Sequence, residues 1–346
     1  MCSSDLVANT LAQAKDAAEL VEIDYDPLPS VTSTADAAKP GAPAVWDEQP
    51  DNVCFVAELG NRAAVDAAFA RAAHIVAVDT VVPRVTAATI EPRTALAAWD
   101  IAAERFVVYV TSQSVHRTRS ELAGVFKLAE NRIRVISPDV GGGFGMKGAV
   151  HCEPALAAWA ARKIGRPVKW VAERSEAFLS DHQARDNIAR VELALDAGGR
   201  FLGLRVRATT NLGAYLAASG VHCAVNNLGG LSGVYATPAI HAEATGVFTN
   251  TNPTAAYRGA GRPEAAFMIE RAVDEAARKL GLDPAELRAR NLIAPSAMPY
   301  KTGFVYTYDC GEFAATQAEA LKLADWAGFP ARRAAAKARG QIGRAH

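Results

Sequence analysis

The stretch Gly141-Gly142-Gly143-Phe144-Gly145-Met146-Lys147-Gly148 is where this chain could do chemistry with its own backbone. Glycines remove side chains and open left-handed conformations, so backbone N–H groups can converge on an oxyanion or a cofactor edge. Gly143, Gly145 and Gly148 also fit G-x-G-x-x-G, the dinucleotide fingerprint, and a Rossmann-like nucleotide-binding protein is the alternative reading. Against it, Pro138 and Asp139 separate the preceding strand from the loop, and Gly141 and Gly142 have no job in the fingerprint. A P-loop is excluded, because Lys147 stands between Met146 and Gly148. A plain turn needs one or two glycines, so a run with an embedded aromatic points to a ligand.

The elements around the loop must position it. "NRIRVISPDV" reads as a strand entering the loop, and a helix follows from about Glu153 to Ile164, stopped by Gly165 and Pro167. "IVAVDTVVPRVTAAT", "RFVVYVTSQ" and "VKWVAE" are β-branched strand runs, and "HRTRSELAGVF" reads as a helix. "RVELALDAGGRFLGLRVRATTN" is a hairpin about Asp196-Ala-Gly-Gly, where a doubly wound sheet would continue with parallel units. A helix from Pro263 to Leu280 places Ala266, Ile269, Val273, Ala276 and Leu280 along one face. Asp283-Pro284-Ala285-Glu286 opens another helix with a cap, a proline and a carboxylate.

Towards the N-terminus, Val7 to Leu20 reads as a helix and "VEIDYDPLPSV" as a short strand stopped by Pro27 and Pro29. Residues 32–50, rich in Ala, Pro, Gly and Asp, read as a linker; a short segment at Val53 to Glu58 follows, then a helix capped by Asn61 and running through Ala73. The class is mixed α and β. "MCSSDL" (1–6) and "QIGRAH" (341–346) look like translated adapter read-through and are excluded from the fold argument, so the chain reads as a piece of a longer protein.

At 346 residues, with 50% apolar and 21% charged residues, the composition is that of a globular protein with a sizeable core. Lys plus Arg and Asp plus Glu are 37 each, so no global field favours nucleic acid or an anionic membrane. No apolar run approaches the ~20 residues of a membrane helix. The five cysteines, at 2, 54, 152, 223 and 310, include no C-x-x-C, so neither a zinc nor an iron–sulfur site is written here. Reduced, cytoplasmic-type thiols are the plain expectation.

Five ordered blocks carry a resemblance: "VTSQSVHRTRSELA", "DVGGGFGMK", "WVAERSEAFLSDHQARD", "TAAYRGAGRPEAAFMIERAVDEAARKLG" and "DPAELRARNLI". Together they resemble the molybdopterin-binding subunits of the xanthine dehydrogenase family, which includes aldehyde oxidases and carbon monoxide dehydrogenases. The resemblance implies an α+β fold of mixed sheets with packed helices, the first half of the molybdopterin-binding region, preceded by the end of an α/β hammerhead domain. Its implied bounds are hammerhead remnant 1–35, linker with a short helix 36–74, first molybdopterin-binding domain 75–330, and the start of the next segment 331–346.

The resemblance further implies molybdenum held by a pterin dithiolene, with no protein side chain on the metal. The cofactor would be molybdopterin or its cytosine dinucleotide, with iron–sulfur and FAD groups on partner subunits, in a homodimer of heterotrimers. Gln113 matches the glutamine that hydrogen-bonds an oxo ligand, and a neutral amide can donate there without adding charge. Gly142, Gly143, Phe144 and Gly145 match the loop whose backbone approaches the metal's oxygen ligands. Arg258 matches an arginine beside the substrate, and Arg288 one near the cofactor.

Departures narrow the reading. Gly259 stands where carbon monoxide dehydrogenase carries its copper-binding cysteine, so no copper and no CO oxidation are expected. Gly148 stands where xanthine dehydrogenase has a glutamate, which puts purine recognition in doubt; Glu153 need not replace it, and His151 and Cys152 read as helix-start packing. The family's general base, a glutamate on a later G-x-G-E segment, has no counterpart in these residues, so hydroxylation of an aldehyde or N-heterocycle is expected of an intact parent and not of this piece.

Overall fold

The computed structural model describes residues 6–341. The termini read as artefacts therefore lie almost wholly outside the described residues. Helix α1 (Leu11–Glu19) is capped by Thr10, whose side chain accepts from the Gln13 N–H, and it buries none of its residues. "VEIDYDPLPSV" does not form a strand: residues 21–30 are exposed throughout and join no sheet among the described residues. Two prolines lacking N–H groups keep it out of a sheet, and among the described residues only its ends are tied, Val21 to the Ala18 carbonyl and Val31 to Asn250.

β1 (Val53–Gly60) lies inside the stretch read as a linker, yet it pairs antiparallel with a strand nearly two hundred residues later. α2 (Arg62–Ala70) starts at Asn61, whose Oδ1 accepts from the Ala64 N–H at 3.0 Å. β2 (His74–Val85) follows, then the hairpin β3 (Thr94–Asp100) and β4 (Arg105–Val110). α3 (Val115–Phe126) crosses over to β5 (Ile133–Ile136), which runs parallel to β4. After the glycine loop come α4 (Cys152–Ile164) and β6 (Val168–Val171), the latter pairing antiparallel with β3. The resulting four-stranded sheet has the order β5-β4-β3-β6.

That order overturns the Rossmann alternative. A dinucleotide unit places the strand after the helix beside the strand before it; here β5 and β6 occupy opposite edges with an antiparallel hairpin between them. Nor does the loop feed directly into a helix, since α4 begins four residues beyond Gly148.

α5 (Arg174–Ser180) leads to the long hairpin β7 (Ala184–Leu195) and β8 (Phe201–Gly213), turning where Asp196-Ala-Gly-Gly predicted. After the short α6 (Gly220–Ala224), β9 (Ile240–Phe248) lies parallel to β8 and completes a five-stranded sheet, β1-β9-β8-β7-β2. α7 (Arg262–Leu280) packs over it, with Ala265, Met268, Ile269, Ala272, Val273, Ala276 and Ala277 all buried. Of the face expected from the sequence, Ile269, Val273 and Ala276 are buried and Leu280 is partly so; Ala266 is exposed, and Ala265, Met268, Ala272 and Ala277 widen the buried stripe. α8 (Pro284–Asn291) is capped by Asp283, which accepts from the Ala285 and Glu286 N–H groups. A short hairpin, β10 (Tyr300–Lys301) and β11 (Thr307–Tyr308), precedes α9 (Phe313–Leu323) and α10 (Phe329–Ala338), neither of which buries a residue.

Each sheet has its own core. Val191, Leu193, Leu204, Val206 and Ile240 meet the apolar stripe of α7. Phe106, Val108, Ile133 and Leu122 pack with Ala157, Ala158 and Ala161 of α4. The fold is α+β, two mixed sheets with packed helices.

Candidate cofactor site

β4 and β5 are neighbouring parallel strands, so their C-terminal ends lie side by side. The segment leaving β4 carries Gln113 and the segment leaving β5 carries the glycine loop; crevices at such strand ends are where open sheets place ligands. The Gln113 N–H donates to the Lys147 carbonyl at 3.0 Å, and Gln113 Oε1 accepts the Gly145 N–H at 2.7 Å. With Oε1 so engaged, Gln113 Nε2 has no hydrogen-bond partner among the described residues and sits at an exposed position.

The loop's conformation requires its glycines. A Cβ on Gly143 would fall 2.5 Å from Gln113 Oε1, and one on Gly145, at φ +106°, would overlap the Ala256 carbonyl. Gly142 (φ +95°) turns beneath the Phe144 ring. Phe144 itself is left-handed, at φ +53°, and the residue is 43% exposed. A non-glycine residue held there is uncommon and marks a backbone position fixed by its surroundings. The Gly143 and Phe144 N–H groups make no hydrogen bond among the described residues. Adjacent backbone donors without protein partners, near a side-chain amide, are groups that an anionic ligand can use.

Arg258 is brought to the same place by the connection between β9 and α7. Its N–H donates to the Phe144 carbonyl at 2.9 Å, so that connection lies backbone-to-backbone against the loop. The guanidinium is exposed and makes no hydrogen bond or ion pair among the described residues. Behind it, Arg185 (φ +66°) donates to the Arg258 carbonyl at 3.2 Å and to buried Glu264 at 2.7 Å, with its guanidinium over the Tyr257 ring. Gly259 turns at φ +96° directly after Arg258.

Arg288 is not brought to this place by any contact. Its guanidinium donates to Glu270 Oε2 at 2.8 Å, Asp274 Oδ1 at 2.8 Å and the Pro284 carbonyl at 3.2 Å, joining α7 to α8. The Tyr235 hydroxyl donates to the other Glu270 oxygen at 2.7 Å. These carboxylates hold the Arg288 pKa above its ordinary value, although burial pulls the other way.

A buried polar cluster under the loop went unread in the sequence. Arg93 donates from Nε to Asp181 at 2.6 Å and from Nη2 to Ser180 Oγ at 2.9 Å, and it pairs with Glu153 in the first turn of α4. Glu153 is thus held in a buried ion pair with Arg93. The His151 and His182 rings lie 4.5 Å apart, tilted by 39°, and His151 Nε2 lies 3.2 Å from the Met146 carbonyl. Burial, reinforced by the Arg93 charge, lowers the His151 pKa to about 3 and the His182 pKa to about 4. No group of three or more His, Cys, Asp or Glu among the described residues could hold a metal ion. Among those residues, no helix is long and apolar enough to cross a membrane.

The family described as molybdopterin cofactor-binding domain matches residues 45–292. The carbon monoxide dehydrogenase large chain of Hydrogenophaga pseudoflava is 35% identical over 96% of this chain and 43% of its own. The crystal structure of a Cu,Mo-CO dehydrogenase superposes with a TM-score of 0.90 at 30% identity, covering 96% of this chain and 44% of that one. Quinoline 2-oxidoreductase from Pseudomonas putida 86 gives 0.89 at 33% identity, covering 96% and 42%. This chain spans less than half the length of each. With a loop that excludes side chains, a free amide beside it and this match over most of the chain, the protein belongs to the molybdopterin-binding large subunits of the xanthine dehydrogenase and aldehyde oxidase family.

Proposed function

We propose that this chain is the front part of the large subunit of a molybdenum hydroxylase. The intact enzyme would oxidatively hydroxylate an aldehyde or an N-heterocycle, taking oxygen from water and passing electrons to iron–sulfur and FAD subunits. The observation that carries this reading is the triad of free donors, the Gly143 N–H, the Phe144 N–H and Gln113 Nε2, gathered at the ends of β4 and β5. Their chemistry fits a molybdopterin centre: neutral donors for anionic oxygen ligands, on a backbone stripped of side chains. When bound, that centre supplies the redox chemistry.

Within this reading, Gln113 and the Gly142–Gly145 loop hold the oxygen face of the cofactor. Arg258 stabilises negative charge developing on the substrate. Gly259 offers no thiolate after that arginine, so copper is not part of the site. Arg288 supports from outside, fixing α7 against α8. The pterin is carried as molybdopterin or its cytosine dinucleotide, the assembly is a homodimer of heterotrimers, and the setting is cytoplasmic. Residues 75–330, with β1 completing the sheet, form the first molybdopterin-binding domain; residues 1–35 end a hammerhead domain and those from 331 begin the next segment.

Molybdenum and released pterin in the full-length polypeptide carrying this chain test the reading directly; a well-folded preparation containing neither, after expression in a molybdopterin-producing host, sinks it. These 346 residues alone carry no counterpart of the general base. They are expected to give no turnover with aldehydes or N-heterocycles even when cofactor and partner subunits are supplied.

A further inference from the structure

We infer that Glu91 is the residue that sets the shape of the cofactor loop, a positioning role that rests on the reading of that loop proposed above. Glu91 lies in the connection between β2 and β3, fifty residues before the loop in sequence. Its Oε2 accepts the Gly141 N–H at 2.7 Å and the Lys147 ammonium at 3.1 Å. Its backbone takes part too: the Glu91 N–H donates to the Gly141 carbonyl at 3.2 Å, and the Glu91 carbonyl accepts from Lys147 Nζ at 2.8 Å. Gly141 and Lys147 are the two ends of the loop, so one residue holds both.

The arrangement has little slack. Lys147 is almost wholly buried, and Glu91 is its sole carboxylate partner among the described residues. Gly141 approaches Glu91 so closely that a Cβ would overlap the Glu91 Cβ. A charged hydrogen bond to each end fixes the span between them, and that span decides whether Gly143 and Phe144 present their N–H groups together. Burial opposes ionisation of Glu91, yet the Gly141 N–H and the Lys147 charge hold its carboxyl below the usual range. Two residues on, Arg93 reaches the other way, to Glu153 in α4 and to Ser180 and Asp181 after it. The tripeptide Glu91-Pro92-Arg93 therefore fastens both the loop and the first turn of the helix that follows.

The experiment is hydrogen–deuterium exchange of peptides spanning 138–150 in the full-length polypeptide, alongside molybdenum per chain. Glu91→Gln keeps the shape and removes the charge; it should speed loop exchange by about tenfold or more and lower molybdenum content. Glu91→Gln combined with Lys147→Met removes the stranded ammonium, and should recover the melting temperature while loop exchange stays fast. Loop exchange at the wild-type rate in Glu91→Gln overturns the proposal. So does its return to that rate in the double variant, which would show that Glu91 only neutralises a buried charge. Should the wild type carry no molybdenum while Glu91→Gln still loosens the loop, the cofactor reading falls and the clamp stands.

Discussion

Gly145 and Gln113, 32 residues apart in sequence, are joined by a 2.7 Å hydrogen bond from the Gly145 N–H to Gln113 Oε1. The bond orients the amide as well as tethering the loop. With the oxygen engaged, the NH2 group is the end without a partner among the described residues, and it is the donor the side chain can offer a ligand.

Gly143→Ala probes that relationship. Alanine is sterically compatible with the backbone there, but its Cβ must displace the Gln113 side chain. Losing one hydrogen bond costs about 0.5–1.5 kcal/mol, so the melting temperature should fall by only a few degrees while molybdenum content falls severalfold. Gly143→Val should be worse on both counts. Unchanged molybdenum content in both variants would contradict the assignment of the loop.

Arg258→Ala should behave in the opposite manner to a structural substitution. Its guanidinium is exposed and unpaired among the described residues, so stability should stay within about 0.5 kcal/mol of wild type. Turnover by the complete enzyme should drop by about a hundredfold or more, the scale of a lost charge-stabilising donor. A collapse in stability with full activity per folded molecule would mark Arg258 as an ordinary surface residue.

Arg288→Ala separates two roles that the sequence could not. The side chain ties Glu270 and Asp274 together and supports the Tyr235–Glu270 bond. Removing a half-buried cation from two carboxylates should cost about 1–3 kcal/mol, with molybdenum per folded chain unchanged. If molybdenum is lost at full stability, Arg288 reaches the cofactor after all.

Local signals in the sequence were strong where a residue type had one physical reason to be present. Asp283-Pro284 and Asn61 cap helices as expected, and the glycines at 142, 143 and 145 sit where a side chain would collide. The misses were non-local. Nothing in Val53–Gly60 says that it will pair with β9, because that strand lies nearly two hundred residues along the chain and local pattern carries no information about such a partner. "VEIDYDPLPSV" alternates like a strand but meets no edge, so propensity had nothing to act on. Glu91 and Arg93 were invisible for the same reason: their partners are 50 to 88 residues away, and an Glu-Pro-Arg tripeptide in a connection carries no pattern of its own.

The histidine pair makes the fold sensitive to mild acid. His151 and His182 are neutral in the folded chain, their pKa values lowered to about 3 and about 4 by burial, by Arg93 and, for His151, by the other ring. In the unfolded chain both return to about 6.5. Above that pH neither state binds a proton, and the pair contributes no pH dependence. As pH falls below 6.5 the unfolded state takes up two protons that the folded state refuses, so stability declines, by about 2–3 kcal/mol in total at pH 5.5. The decline continues until the folded values near 4 and 3 are reached. Glu153, ion-paired with Arg93, softens the effect at His182 without reversing it. Urea unfolding at pH 7.5 and 5.5 measures the difference, and His151→Gln or His182→Gln should each remove roughly half of it. If both variants keep the full wild-type pH dependence, the protons are taken up elsewhere and the histidine pair is not the source of it.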